Sequence, residues 1–126
     1  SMKDKGFNKY DPHMVAESKM KAIVTYREKK REFNKLVRDK DEKEKQKFLY
    51  YRFSYDSKLS VEDAKAKART DEEVKEYNKQ LDAAEIEMDK AYAELDRITV
   101  KIELMADFNA TARAEMKLGG LTPWQL

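Results

Sequence analysis

The chain has no cysteine, a single histidine, a single tryptophan, two prolines and three glycines among its 126 residues. Each scarcity excludes something. Without cysteine there are no disulfides and no thiolate metal sites, and a reducing compartment is natural. So few turn formers leave little material for the tight turns of an all-β fold. A Cys/His arrangement is impossible and a Ser/His/Asp one would have to use His13, while His13–Glu17, four apart near a helix start, is a poor metal site with only two ligands. Gly6, Gly119 and Gly120 form no glycine-rich phosphate loop. No apolar run approaches the ~20 residues that span a bilayer, and no signal-peptide pattern opens the sequence. Ser1 ahead of Met2 reads as a remnant of tag removal.

What is abundant is charge, at 41% of residues, in a nearly balanced total of +2. The balance hides a division. Ser1 to Lys58 carries 17 Lys/Arg against 10 Asp/Glu, whereas Leu59 to Leu126 carries 10 against 15. A basic front half points to a polyanion partner and an acidic back half to a different task; two solvated helix faces would leave the same record.

The pattern predicts an all-α fold of two long helices, a helical hairpin or coiled coil assembled into a homo-oligomer. Asp11 suits an N-cap and Pro12 the first helical position. Val15, Met20, Ile23, Tyr26, Phe33 and Val37 follow at helical spacings. Arg38 to Lys47 has no apolar side chain but tolerates a solvated helix, with Asp41–Lys45 as a favourable pair four apart. Phe48 to Tyr55 is the aromatic-richest stretch. Asp56 to Ser60 is the candidate connection, Ser60-Val-Glu-Asp63 can cap a short helix through Ala68, and Thr70-Asp-Glu-Glu73 reads as a capping box for a helix ending at Gly119-Gly120. The expected division is a disordered N-terminus over 1–10, one helical domain over 11–118 (basic helix 11–57, connection 56–69, heptad helix 70–118) and a tail over 119–126.

The second long helix has the strongest periodicity. Val74, Leu81, Met88, Leu95, Ile102, Asn109 and Met116 recur every seven residues, with Tyr77, Ala84, Ala91, Ile98, Met105 and Ala112 three further on. That seam marks Val74, Leu81, Met88, Leu95, Ile102 and Met105 as oligomerisation residues. Asn109 either fixes register from a buried position or lies wet near a frayed end. Trp124 is an aromatic anchor or part of a disordered tail.

Eleven basic residues lie between Arg27 and Arg52, with Tyr26, Phe33, Phe48, Tyr50, Tyr51 and Phe53 among or beside them. Cations along phosphates and aromatic rings under bases are how single strands are gripped; core aromatics beside a solvated basic face are the structural alternative. Lys40, Lys43 and Lys47 share a helix face, with Lys45 reaching round the side and Arg52 extending the stripe.

The order of features resembles the UvsY-type recombination mediators of T4-like bacteriophages. The likeness runs from Asp11, Met14-Val15 and Ala22-Ile-Val-Thr-Tyr26, through Lys45-Gln-Lys-Phe-Leu-Tyr-Tyr51 and Thr70-Asp-Glu-Glu-Val74, to Asp107–Gly120. It is a likeness of layout over roughly Asp11–Gly120, most specific in the basic-x-basic-apolar-x-Tyr-Tyr run. The scarcity of catalytic and ligating side chains points to a non-enzymatic, cofactor-free protein, cytoplasmic (the host cytoplasm if phage-encoded), and the resemblance implies a ring-like homo-oligomer that binds single-stranded DNA. It would help load a RecA-like recombinase onto DNA covered by single-stranded-DNA-binding protein. The implied contacts are Lys45 and Lys47, to which the chain's own pattern adds Lys40, Lys43, Tyr50, Tyr51 and Arg52. The chain departs where the family has a glycine-rich linker, here Arg52-Phe-Ser-Tyr-Asp-Ser-Lys58. A coiled-coil scaffold, an assembly chaperone or a small helical inhibitor of a host enzyme would keep the seam without needing those contacts.

Overall fold

The computed structural model describes residues 11–55 and 59–119, and among them every regular element is helical. Helix α1 spans Pro12–Leu49 and passes directly into a π-helical segment, Tyr50–Tyr55; α2 spans Val61–Arg69 and α3 spans Glu72–Leu118. The all-α class is as expected. The N-terminal stretch 1–10, the start of the connection at Asp56–Lys58, the Gly120 half of the C-terminal stop and the Trp124 tail lie outside the described residues. No helix is long and apolar enough to cross a membrane among the described residues.

The helix starts follow from side-chain chemistry. Asp11 Oδ1 accepts a hydrogen bond from the His13 N–H (2.9 Å), so Asp11 caps α1 and Pro12 occupies its first position. The basic run 38–47 is helical throughout. Ser60 Oγ accepts from the Asp63 N–H (3.1 Å) and caps α2. The capping box expected at Thr70 is displaced by one residue. The Thr70 hydroxyl donates back to the carbonyls of Ala66 (3.0 Å) and Lys67 (3.3 Å), closing the end of α2, and Asp71 caps α3 through the Glu73 N–H (2.9 Å). At the far end, the Gly119 N–H continues the ladder to Glu115 (3.0 Å), and Gly119 does not enter the left-handed region that a glycine stop would use.

The chain divides into two compact units, Ser1–Thr25 with Tyr92–Leu126, and Tyr26–Ala91. In the first unit, Val15 and Ala22 of α1 pack with Ile98 of α3, and Leu95, Ile102 and Met105 close around them. The heptad column therefore has an occupant inside the chain. Ala22 takes the buried place, while Met20 of the expected stripe is exposed. Asn109 is exposed too, so it fixes no register within the chain.

In the second unit, α2 packs against the π-helical segment and buries Ala64 and Ala68 completely or nearly so, at 0% and 1% exposed. Val74 is buried to the same degree, whereas Leu81 and Met88 are half-buried.

The buried stripe of α1 is partly lysine. Positions 15, 19, 22, 26, 29, 33, 36, 40, 43 and 47 alternate by four and three, and each is buried or half-buried, including Lys19, Lys29, Lys40, Lys43 and Lys47. Lysine stems can cover apolar surface while the ammonium reaches outward.

Truncating Ile98 to Ala is expected to cost about 2–4 kcal/mol through lost burial and the cavity left behind. Glu103→Ala, at an exposed position five residues on, should change stability by under about 1 kcal/mol. Chemical denaturation of the two variants checks the pair.

Candidate nucleic-acid interface

Three side chains at the C-terminal end of α1 and its π-helical continuation converge on the start of α3. Lys43, Lys47 and Tyr51 follow one another at spacings of four, so they share one side of α1 and its π-helical continuation. Across from them stand Asp71 and Glu73. The Tyr51 hydroxyl donates to Asp71 Oδ2 at 2.6 Å. Lys47 Nζ pairs closely with Glu73 and lies 3.8 Å from Asp71 Oδ1, and Lys43 Nζ is 4.0 Å from Glu73. Asp71 keeps only a tenth of its side-chain exposure.

These contacts move the titrations of both partners, the carboxylates down and the donors up. The Tyr51 hydrogen bond lowers the Asp71 carboxyl below its ordinary 3.8, and the Lys47 hydrogen bond lowers Glu73 below 4.5. Reciprocally, the bond to Glu73 raises Lys47 above 10.5, and the bond to Asp71 together with burial raises Tyr51 above 10.0.

The π-helical segment gathers the aromatics. Bonds from i to i+5 widen the turn and bring residues five apart round toward one side, where an α-helix would set them well apart. Tyr50 and Tyr55 accordingly approach to 6.1 Å between ring centroids, with Tyr51 5.2 Å from Tyr50 and 5.3 Å from Tyr55. Lys47 Nζ sits 5.7 Å from the Tyr50 ring, Lys67 Nζ 5.2 Å from Tyr55, and the Arg52 guanidinium 5.5 Å from Phe53. Such cation–ring contacts are favourable by about 0.5–1 kcal/mol at exposed sites. Tyr50, Phe53 and Tyr55 nevertheless remain 46%, 68% and 54% exposed.

The residues singled out from sequence thus fall into three settings. Lys43, Lys47 and Tyr51 are engaged with α3 carboxylates. Tyr50 and Arg52 belong to the aromatic surface, and Lys40 is half-buried on the Lys43–Lys47 side of α1. Lys45 is exposed on another side, in a groove against α2. The Asp41–Lys45 pair expected there does not close, since among the described residues neither forms an ion pair. Sequence reasoning missed Lys67, Asp71 and Glu73 as members of this region. Ala64 and Ala68, four apart, were the available sign that α2 docks closely and brings its lysines along.

The proposed oligomerisation residues are partly consumed within the chain. Leu95, Ile102 and Met105 surround the Val15–Ile98 cluster, and Val74 is 1% exposed. Among the exposed apolar side chains of α3, Val100, Leu104 and Phe108 stand four apart and on the other side of the helix from Ile98 and Met105. Among the described residues no group of three or more His, Asp or Glu is placed to hold a metal ion.

No family model, curated protein or solved structure matches this chain.

The carboxylates with lowered pKa stabilise the fold above their ordinary values, and that contribution disappears as the pH falls through the lowered ones. The raised Lys47 and Tyr51 act oppositely, contributing below 10.5 and 10.0 and failing as the pH climbs through their raised values. Melting temperature should therefore hold level across neutral pH and drop below pH 3.8. Tyr51→Phe should cost about 1–2 kcal/mol at neutral pH and shallow the acid-side drop, a comparison that thermal melts over a pH series would make directly.

Proposed function

We propose that this protein binds single-stranded DNA as a non-enzymatic recombination mediator, acting as a homo-oligomer that helps load a RecA-like recombinase onto strands covered by single-stranded-DNA-binding protein. The observation that carries the DNA-binding part is the surface of the π-helical segment, where exposed Tyr50, Phe53 and Tyr55 stand beside Lys47, Arg52 and Lys67. Rings offer bases a stacking face, and the cations beside them neutralise phosphates. The recombinase and the covering protein come from the resemblance alone.

Lys43 and Lys47 enter this reading in a specific way. Their present partners, Asp71 and Glu73, are anions that a phosphate would replace. Strand binding at these lysines is then an exchange of one anion for another, and weakening the internal anion should strengthen it.

Titrating a labelled oligo-dT at several salt concentrations tests the reading. Affinity should fall steeply with salt. Phe53→Ala should weaken binding by about 1–3 kcal/mol with the salt slope unchanged. Lys45→Ala with Lys47→Ala should flatten the slope by about one to two units per protomer, and Glu73→Gln should tighten binding. Absence of salt-dependent binding would remove the mediator reading and favour a scaffold, chaperone or inhibitor.

Assembly has its own support in the exposed Val100, Leu104 and Phe108. A scaffold would need that face as much as a mediator would. Light scattering after size exclusion should give a multiple of the monomer mass. Leu104→Asp should return the monomer with its helices intact, whereas Leu95→Asp should destabilise the chain itself.

A further inference from the structure

A second charged feature lies on a different side of α1 from the Lys43–Lys47–Tyr51 contacts. Asp41, Glu44, Lys45 and Phe48 occupy one face of α1, at spacings of three, one and three. Lys65, Ala68 and Arg69 occupy one face of α2, at spacings of three and one. Together they line an open groove of about 350 Å³, within the size range of small-ligand sites. Ala68, 1% exposed, is the small residue where the groove borders α2. Phe48 is half-buried and contributes aromatic surface to the wall.

The charges of this groove do not satisfy one another. It holds three cations and two carboxylates, yet among the described residues Asp41, Glu44, Lys45 and Arg69 form no ion pair. Lys65 is 3.8 Å from Glu62, in an exposed pair within α2. A concavity that presents both signs without closing them on each other, beside an aromatic face, suits a flat ligand that carries both an anionic group and a hydrogen-bond donor.

We propose that the groove is a nucleotide subsite of the strand-binding surface, selective for bases that carry an exocyclic amino group; this rests on the single-strand reading above. Lys45, Lys65 and Arg69 take the phosphate, Arg69 with the geometry for paired hydrogen bonds. The base stacks on Phe48. Asp41 and Glu44 accept from the amino group, which cytosine, adenine and guanine have and thymine lacks. The selectivity comes from the carboxylates, because the phosphate and stacking contacts are the same for every base.

The experiment compares labelled oligo-dC and oligo-dT of equal length by fluorescence anisotropy, at several salt concentrations, on the full-length protein. Wild type should bind oligo-dC about three- to tenfold more tightly, the yield of one or two added hydrogen bonds. Asp41→Ala with Glu44→Ala removes two anions from a phosphate-binding surface, so affinity for oligo-dT should rise while the preference for oligo-dC vanishes. Both positions are on solvated helix surface where alanine is well tolerated, and circular dichroism confirms that the helices persist. Lys45→Ala with Arg69→Ala should weaken both oligonucleotides and reduce the salt slope by about two units. Equal, salt-dependent binding of the two oligonucleotides by wild type, or a preference that survives the double alanine variant, would overturn the subsite and leave the mediator reading standing. Failure of wild type to bind either strand would overturn both.

Discussion

One carboxylate organises the junction on which the candidate interface depends. Asp71 caps α3 through the Glu73 N–H, receives the Tyr51 hydroxyl, and faces the Lys47 ammonium. It thereby fixes the start of α3, the π-helical continuation of α1 and the last turn of α1 with a single side chain. Only Thr70 and Asp71 separate α2 from α3. A chain with three glycines turns this corner by capping: Thr70 satisfies carbonyls at the end of α2, and Asp71 satisfies an N–H at the start of α3. The scarcity of turn formers and the density of polar caps are two sides of one solution.

The same junction explains part of the charge division. The basic excess of the front half and the acidic excess of the back half meet here, in Lys43 and Lys47 against Asp71 and Glu73. Solvent-exposed ion pairs contribute about 0–1 kcal/mol each, so these contacts matter less for stability than for placement. They hold two lysines at one end of α1 with their stems covered and their charges gathered; under the proposed function these would exchange internal anions for external ones. Charge asymmetry read as a sign of a polyanion partner is therefore also a sign of an internal contact, and the two uses compete for the same ammonium groups.

How much of this was legible depended on whether a feature lives in one segment or between two. Caps at Asp11, Pro12 and Ser60 are local, and each was readable from residue type and spacing. The capping box read at Thr70 starts one residue later, at Asp71, because the adjoining end of α2 draws in the Thr70 hydroxyl. The heptad column of α3 announced a packed face but not what covers it. In the first unit the cover is Val15 and Ala22 of the same chain. The matching stripe on α1 was hidden because lysines 19, 29, 40, 43 and 47 occupy its positions, and a count of apolar residues reads them as solvated. Sequence gave Lys40, Lys43 and Lys47 one face correctly. It could not show that this face carries half-buried stems, because nothing local to α1 records the carboxylates of α3.

The π-helical segment ties these threads to function. If the resemblance holds, its part after Tyr51 begins the stretch, Arg52 to Lys58, that stands where the mediators would carry a glycine-rich linker. Glycines there would leave the backbone free. The residues present hold it in a wider helical turn, with three tyrosine rings in mutual contact and Lys67 of α2 alongside two of them. Ordering a flexible strand already costs entropy, and a surface that must also order itself adds to that cost. Rings fixed before the strand arrives avoid the second part. Under the proposed function, the departure from the family pattern is therefore an alternative route to binding: a preformed aromatic surface, held in place by Tyr51 on Asp71, in place of a linker that adapts.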